Sequence, residues 1–331
     1  MKFNLKISRL NNLYFFAANL TEFHHSCRPH FNREWLKKTG RLNNQEKKAI
    51  ADLKQIFQKY GFDFINNKSI YLGRYFYCPD EKNKWLTVKE HLSSLEYDKF
   101  YNSLAILETR FNKIYNEDLL RKWMAALEQE LNSKRFIDLY NSIKEFLKPK
   151  KLESFLNVHL LISPSLVNTA SGGANLGNQD ITLEVPIFQM LDWQIEQAAN
   201  ILMHELAHIW FENSLGYRLA KKLTLDNFKH KKSVGRNSFS LVKETIIGSA
   251  SPFGYPCQIY SDKVKPLFKF LLPNLSVGYQ TYKNFQNGRQ ADYRKLNFYL
   301  NWLTYPLAAD YFSNNRKIDR HFIEEIIKLI Q

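Results

Sequence analysis

The chain has 331 residues, 44% hydrophobic and 24% charged, enough apolar material for a sizeable core or for two, which excludes a disordered polypeptide. No apolar run reaches the ~18–20 residues that cross a bilayer. The patch Leu13 to Ala18 is too short for a secretory signal and is flanked by Asn11, Asn12 and Asn19. The net charge of +15 raises nucleic acid or an anionic surface as partners; residues 1–150 hold 27 basic against 17 acidic side chains, and the rest hold 20 against 15.

In chain order, residues 3–8 read as a short strand, and the pattern is then helical to about residue 148. Over 44–60, Asn43 with Glu46 three positions later fits a capping box. Ile50, Leu53, Ile56 and Phe57 form the apolar stripe, and Gly61 stands at the stop position. Similar stripes run over 86–114, 117–132 and 134–147, with Leu119, Trp123 and Leu127 as one example. Lys148-Pro149-Lys150-Lys151 breaks the pattern. A boundary is expected there, between a mostly helical N-terminal domain (1–149) and a second domain (150–331).

The second half has a different texture. Val158 to Ile162 is an apolar run containing His159, ended by Pro164. Thr169 to Asn178 is a glycine-rich loop. Ile181, Leu183 and Val185 alternate with Asp180, Thr182 and Glu184, as in a half-buried strand limited by Pro186. Asp192 is placed to cap a long helix over 193–213 whose apolar positions include Ile195, Ala198, Ala199, Leu202, Leu206, Ile209 and Trp210. The aromatic-rich segment 296–312 reads as core.

That long helix carries His204-Glu205-Leu206-Ala207-His208. Spacing of four residues puts both imidazoles on one face, about one turn apart, where they can converge on one Zn²⁺. Glu205 is directed to the side and can reach a water activated by the metal, taking its proton and later passing it to the leaving amine. A chance HExxH belongs on a solvated surface, whereas this one sits in a strongly apolar helix. A zinc site needs a third protein ligand. Glu212 on the same helix is too far along the axis. Glu244, within a short helix Ser240 to Gly248 capped by Ser238 or Ser240, is the leading candidate, because a carboxylate on an apolar helix needs a partner. Asp226, His230 and Asp310 are the alternatives.

The HExxH segment followed by Glu244 on a second helix resembles the gluzincins, especially their compact minimal members, over roughly residues 155–250. With the helical pattern before residue 148, an α+β fold is expected: a mostly helical N-terminal region, then the zincin-like domain that the resemblance implies, with a small twisted sheet, an active-site helix and a glutamate helix. The resemblance implies His204, His208 and Glu244 as zinc ligands, Glu205 as general acid/base, and a peptide or protein as substrate. The metzincin pattern is absent, since Phe211 and Ser214 stand where that family has Gly and His. Two departures stand out. The interval from His208 to Glu244 is long, and Gly248 occupies the position where many relatives carry an acid that orients a ligand histidine. The resemblance also suggests an edge strand for substrate backbone, with Gly172 to Leu176 as the candidate. An oxyanion-stabilising Tyr is expected after the glutamate helix, from Tyr255, Tyr260 or Tyr279.

The competing expectation is a basic zinc-containing protein that binds nucleic acid or a partner, SprT-like or stress-regulator-like, with restricted or no peptidase activity. The longest basic run is Lys229-His230-Lys231-Lys232, and elsewhere acids interleave with bases, so a solvated surface is favoured over a nucleic-acid groove. Cys27, Cys78 and Cys257 form no C-x-x-C pair and read as ordinary thiols of a reducing compartment, which points to the cytoplasm, with secretion as the alternative. His24, His25 and His30 fit no zinc spacing and read as loop histidines.

Overall fold

A computed structural model describes residues 1–23, 27, 29–60, 72–77, 80–163, 172–177, 179–186, 190, 192–228, 235–260, 275–289 and 291–331. His24, His25, Cys78, His230 with its basic neighbours, and the side chain of His30 lie outside the described residues. The chain is mostly helical with one small sheet, α+β in the general sense. The elements are β1 (Lys2–Lys6), α1 (Arg9–Thr21), α2 (Pro29–Thr39), α3 (Asn44–Lys59), α4 (Leu72–Tyr77), α5 (Lys84–His91), α6 (Ser94–Phe111), α7 (Glu117–Leu131) and α8 (Lys134–Leu147). Then come β2 (Phe155–Ser163), β3 (Gly172–Gly177), β4 (Asp180–Pro186), α9 (Asp192–Glu212), α10 (Leu215–Phe228), α11 (Gly235–Ala250) and α12 (Tyr255–Ile259). The last described helices are α13 (Leu275–Gln286), α14 (Tyr293–Leu303), α15 (Tyr305–Ser313) and α16 (Arg320–Ile330).

Two compact units share the chain: Lys2–Ala126 with Phe155–Met190, and Met1, Leu127–Ser154 and Leu191–Gln331. The expected local break is present, because Lys148 closes α8 in the left-handed conformation at φ 47. The expected division into 1–149 and 150–331 nevertheless cuts across this arrangement. β1 pairs in parallel with β2, so the start of the chain and the residues after 154 belong to one sheet.

The sheet unit has strand order β1-β2-β4-β3; β1, β2 and β4 are parallel and β3 is antiparallel to β4. Part of the expected glycine-rich loop is therefore strand: Gly172–Gly177 forms an edge, with a register shift between Asn175 and Gly177. β4 departs from the alternation read in its sequence, since Asp180 and Thr182 are buried together with Ile181, Leu183 and Val185. A strand covered on both faces must partner its polar groups inside. His159 on β2 does this for Asp180: Nε2 lies 2.8 Å from Asp180 Oδ1, and Asn11 Nδ2 lies 3.3 Å from Nδ1. An amide nitrogen donates, so Nδ1 accepts and Nε2 carries the proton that goes to Asp180.

α1 packs against β2 and supplies a second polar contact. The last β1 pair is Lys6 with His159. Beyond it Asn12 takes the place of a strand, donating from Nδ2 to Leu160 O at 3.0 Å and accepting Ile162 N at Oδ1 at 2.7 Å. One primary amide thus offers the donor and acceptor that a backbone neighbour would offer.

The capping box Asn43/Glu46 forms as expected and opens α3. The stripe read over 86–114 is two helices, because Ser93 with Glu96 forms a further capping box that restarts the chain as α6. Aromatic rings fill the space between α1, α3, α4 and α6, with Tyr14 stacked on Phe76 at 4.7 Å and edge-on to Phe57 at 5.6 Å.

Arg110 on α6 ties this cluster to the turn after α2. Its Nε donates to Glu46 Oε1 at 2.8 Å, Nη1 to Thr39 Oγ1 at 2.8 Å and Gly40 O at 2.6 Å, and Nη2 to Arg41 O and Glu46 Oε2 at 2.8 and 2.7 Å. All five guanidinium donors are used. Arg110 and Glu46 are 6% and 7% exposed, so each depends on the other to remain charged.

In the other unit, the buried stripe of α16 (Phe322, Ile323, Ile326, Ile327, Ile330) and Phe146 of α8 build a core with Tyr311 and Phe312. The backbone bonds Ile318 N to Phe146 O (2.9 Å) and Lys150 N to Asn213 O (3.0 Å) hold the ends of these elements. Trp210 of α9 meets Tyr140 of α8 edge-on at 4.8 Å, which seats the HExxH helix.

Removing one partner of the buried ion pair strands the other. Arg110→Leu is expected to cost about 3–5 kcal/mol, read as a lower urea midpoint. The bond from Arg110 holds the Glu46 carboxyl below its ordinary 4.5 against the upward push of burial. A depressed folded value means the pair's stabilisation is complete above pH about 4.5 and is lost as pH falls through that lower value. The stability gap between wild type and Glu46→Gln should therefore shrink in acid; a gap that is constant from pH 7 to 3 would contradict this.

Candidate metal centre

α9 carries five polar residues in its buried set, Gln194, Glu196, Gln197, Asn200 and Glu205, beside a continuous apolar face of Ala198, Ala199, Leu202, Met203, Leu206, Trp210 and Phe211. Its last turns present His204 and His208 together, with ring centroids 4.8 Å apart and planes at 89°. Their Nε2 atoms stand 3.2 Å apart. α11 crosses this face and brings Glu244 Oε2 to 3.5 Å from His208 Nε2 and 3.9 Å from His204 Nε2.

The three side chains are 17%, 12% and 22% exposed, which leaves the cluster open on one side. The expected short helix around Glu244 is longer, running from Gly235 to Ala250, so Ser238 and Ser240 are interior positions and not caps.

The proton inventory of the cluster favours a cation. His204 Nδ1 lies 2.7 Å from Ser251 O. A carbonyl only accepts, so Nδ1 carries the hydrogen and Nε2 presents a lone pair toward His208 and Glu244. Burial, and then the neighbouring His208 imidazole, push the His204 pKa down and keep the ring neutral. Burial would raise the Glu244 carboxyl, but the two imidazoles and Lys243 outweigh it and hold the group at about 2. Three nitrogen and oxygen atoms, His204 Nε2, His208 Nε2 and Glu244 Oε2, then face one another.

Donors placed tetrahedrally around zinc at ~2.0–2.2 Å stand ~3.3–3.5 Å apart. The observed separations of 3.2, 3.5 and 3.9 Å match two of three edges of that triangle, and a small carboxylate rotation closes the third. The donor set of two imidazoles and one carboxylate therefore fits zinc.

The remaining candidates have other partners. Glu212 is half-exposed and paired with Lys243 Nζ at 3.2 Å. Asp310 is exposed and held by Arg316 at 2.7 Å. Asp226 is exposed on α10. Tyr255 shares a hydrogen bond of 2.8 Å with Ser313 Oγ, Tyr260 lines a shallow pocket with Glu145, Phe312 and Arg316, and Tyr279 packs on Tyr299 beneath Lys283. These contacts are with other parts of the unit. Glu205, adjacent to His204, is 9% exposed, and its charge acts on the His204 ring. Sequence reasoning missed Ser251; its contribution is a backbone carbonyl, which no residue pattern signals.

Comparison with family models, with curated proteins and with solved structures finds no match to this chain. No helix among the described residues is long and apolar enough to cross a membrane.

Replacing Glu244 by Ala removes the one anionic donor among the described residues. Zinc affinity, measured by competition with a chromophoric chelator, should fall by at least about 10²-fold, well above the ~10-fold that 1.4 kcal/mol represents. Equal affinities would remove Glu244 from the donor set.

Proposed function

We propose that the chain is a zinc-dependent peptidase with a zincin-like centre. The observation that carries this reading is the meeting of His204 Nε2, His208 Nε2 and Glu244 Oε2 within a few ångströms, with Glu205 beside them. Among the described residues three side chains would hold a zinc ion, which would leave it room for a water, as a catalytic site requires.

Zinc bound there supplies Lewis acidity, polarising a carbonyl and making water a nucleophile near neutral pH. The chain's own residues do the rest. His204 and His208 offer neutral nitrogen donors from one helix face, and Glu244 contributes a negative charge that offsets part of the metal's. Glu205 is no member of the donor triangle and is buried next to His204 on the same helix. It takes a proton from the attacking water and returns it to the departing amine nitrogen, which lets the C–N bond break without forming an amide anion.

The reading is tested by metal content and by one substitution. Native protein purified without chelators should hold one zinc per chain by mass spectrometry. Glu205→Gln should keep that zinc and lose cleavage of denatured protein substrates by about 10²–10⁴-fold. Zinc-free native protein, or a Gln variant of undiminished activity, would overturn it. The charge surplus alone supports the nucleic-acid alternative, so DNA binding at low salt, lost as salt rises, is the control measurement.

A further inference from the structure

Gly248 leaves the position four residues after Glu244 without a side chain, and the Asn301 amide lies so close that a Cβ there would overlap it. No side chain from α11 can grow into that space while Asn301 occupies it. The orientation of His204 has a different source.

We propose that Ser251 is the positioning residue for His204, through two bonds made by one residue. Its carbonyl accepts from His204 Nδ1 at 2.7 Å. Its hydroxyl donates to Asn200 O at 2.6 Å. Asn200 is one turn before His204 on α9, so the hydroxyl grips the turn that carries the ligand while the carbonyl grips the ligand's ring. Ser251 is fully buried, and its own N–H is bonded to Ile247 O at 2.9 Å, which makes it the continuation of α11. The helix that delivers Glu244 therefore also sets the tautomer and tilt of His204.

The bracket continues outward. Asn200 is fully buried, and its Oδ1 accepts from Arg135 Nη1 at 3.2 Å. Arg135 Nε in turn donates to Glu130 Oε1 at 2.6 Å. Each link is a donor meeting an acceptor: Arg135 donates to both Glu130 and Asn200, and Asn200 accepts from both Arg135 and Ser251, so the bonds from Glu130 to His204 fix positions and do not form a relay of one direction. On the other side of Ser251, Cys257 Sγ lies 3.6 Å from its hydroxyl. The ring orientation of His204 is thus anchored in packed backbone and in a partly buried ion pair, and not in a flexible carboxylate.

This assignment rests on the zinc reading for its consequence, but its geometry can be read without metal. In metal-free wild type at fixed pH, two-bond ¹H–¹⁵N correlation spectra should show His204 with Nδ1 protonated and Nε2 bare. Ser251→Ala keeps the carbonyl and removes only the hydroxyl. We expect it to weaken the tautomer preference and to raise the zinc dissociation constant about 10- to 100-fold, the usual cost of losing support behind a ligand. Urea titration of the metal-free variant separates this from unfolding. A folded variant with unchanged tautomer and unchanged zinc affinity overturns the proposal, as does a wild type protonated on Nε2. Arg135→Gln is the second variant, one link further out and conservative in size. It should shift zinc affinity in the same direction by less, and an effect larger than that of Ser251→Ala would break the order of the chain. Wild type with Nδ1 protonated that binds no zinc would refute the metal centre and leave the bracket standing.

Discussion

The candidate site depends on how α11 lies across α9. Two imidazoles one turn apart on a helix can point at a common centre only from one side, so the third donor must arrive on another element whose register is fixed to within an ångström or so. Two interactions compete for the credit. The Lys243–Glu212 pair joins the helices next to Glu244, but its members are 23% and 46% exposed, and surface pairs of this kind contribute about 0–1 kcal/mol. Burial of Val242, Ile246 and Ile247 on α11 contributes about 1.5–3 kcal/mol for each side chain. The apolar packing therefore sets the crossing, and the ion pair trims it.

A helix seated this deeply would be penalised for its polar residues unless they were matched. Asn200 and Glu205 lie at 0% and 9% exposure within α9. The Asn200 side chain takes its partner from a neighbour, Arg135 of α8, and Ser251 at the end of α11 adds a bond to the Asn200 carbonyl. The same economy appears in the sheet unit, where Asn11, His159 and Asp180 form one buried relay and Arg110 places every donor on Thr39, Gly40 and Arg41 around the end of α2 and on Glu46 of α3. Among the described residues the buried Arg110, Glu46 and Asp180 are each bonded.

Some of this was legible in the sequence because it is local. A histidine repeat at four residues, set in an apolar helical stripe, declares both a helix and a common face. Asn43 and Glu46 declare a helix start within four residues. Glu244 was legible as an acid with no obvious use on an apolar helix. The pairing of β1 with β2 was not, since about 150 residues separate the partners and a five-residue strand carries no address. Thr169 to Asn178 read as a loop from its glycines, and only the family resemblance offered Gly172 to Leu176 as an edge strand; the strand is made by the ladder that β4 offers. The buried polar face of β4 was hidden for a related reason: alternation marks a strand but does not reveal whether the polar side will be covered. Ser251 acts on His204 through an atom that every residue possesses, so nothing in its identity could announce it.

Asn12 has a consequence of another kind. β2 runs four residues past its last pairing with β1, and a bare strand margin of that length is an open template for a strand from another molecule. The Asn12 amide occupies the Leu160 carbonyl and the Ile162 amide on that margin. A single side chain thus closes the margin to intermolecular pairing, and the sheet can keep a short first strand without exposing the apolar core of β2 to self-association.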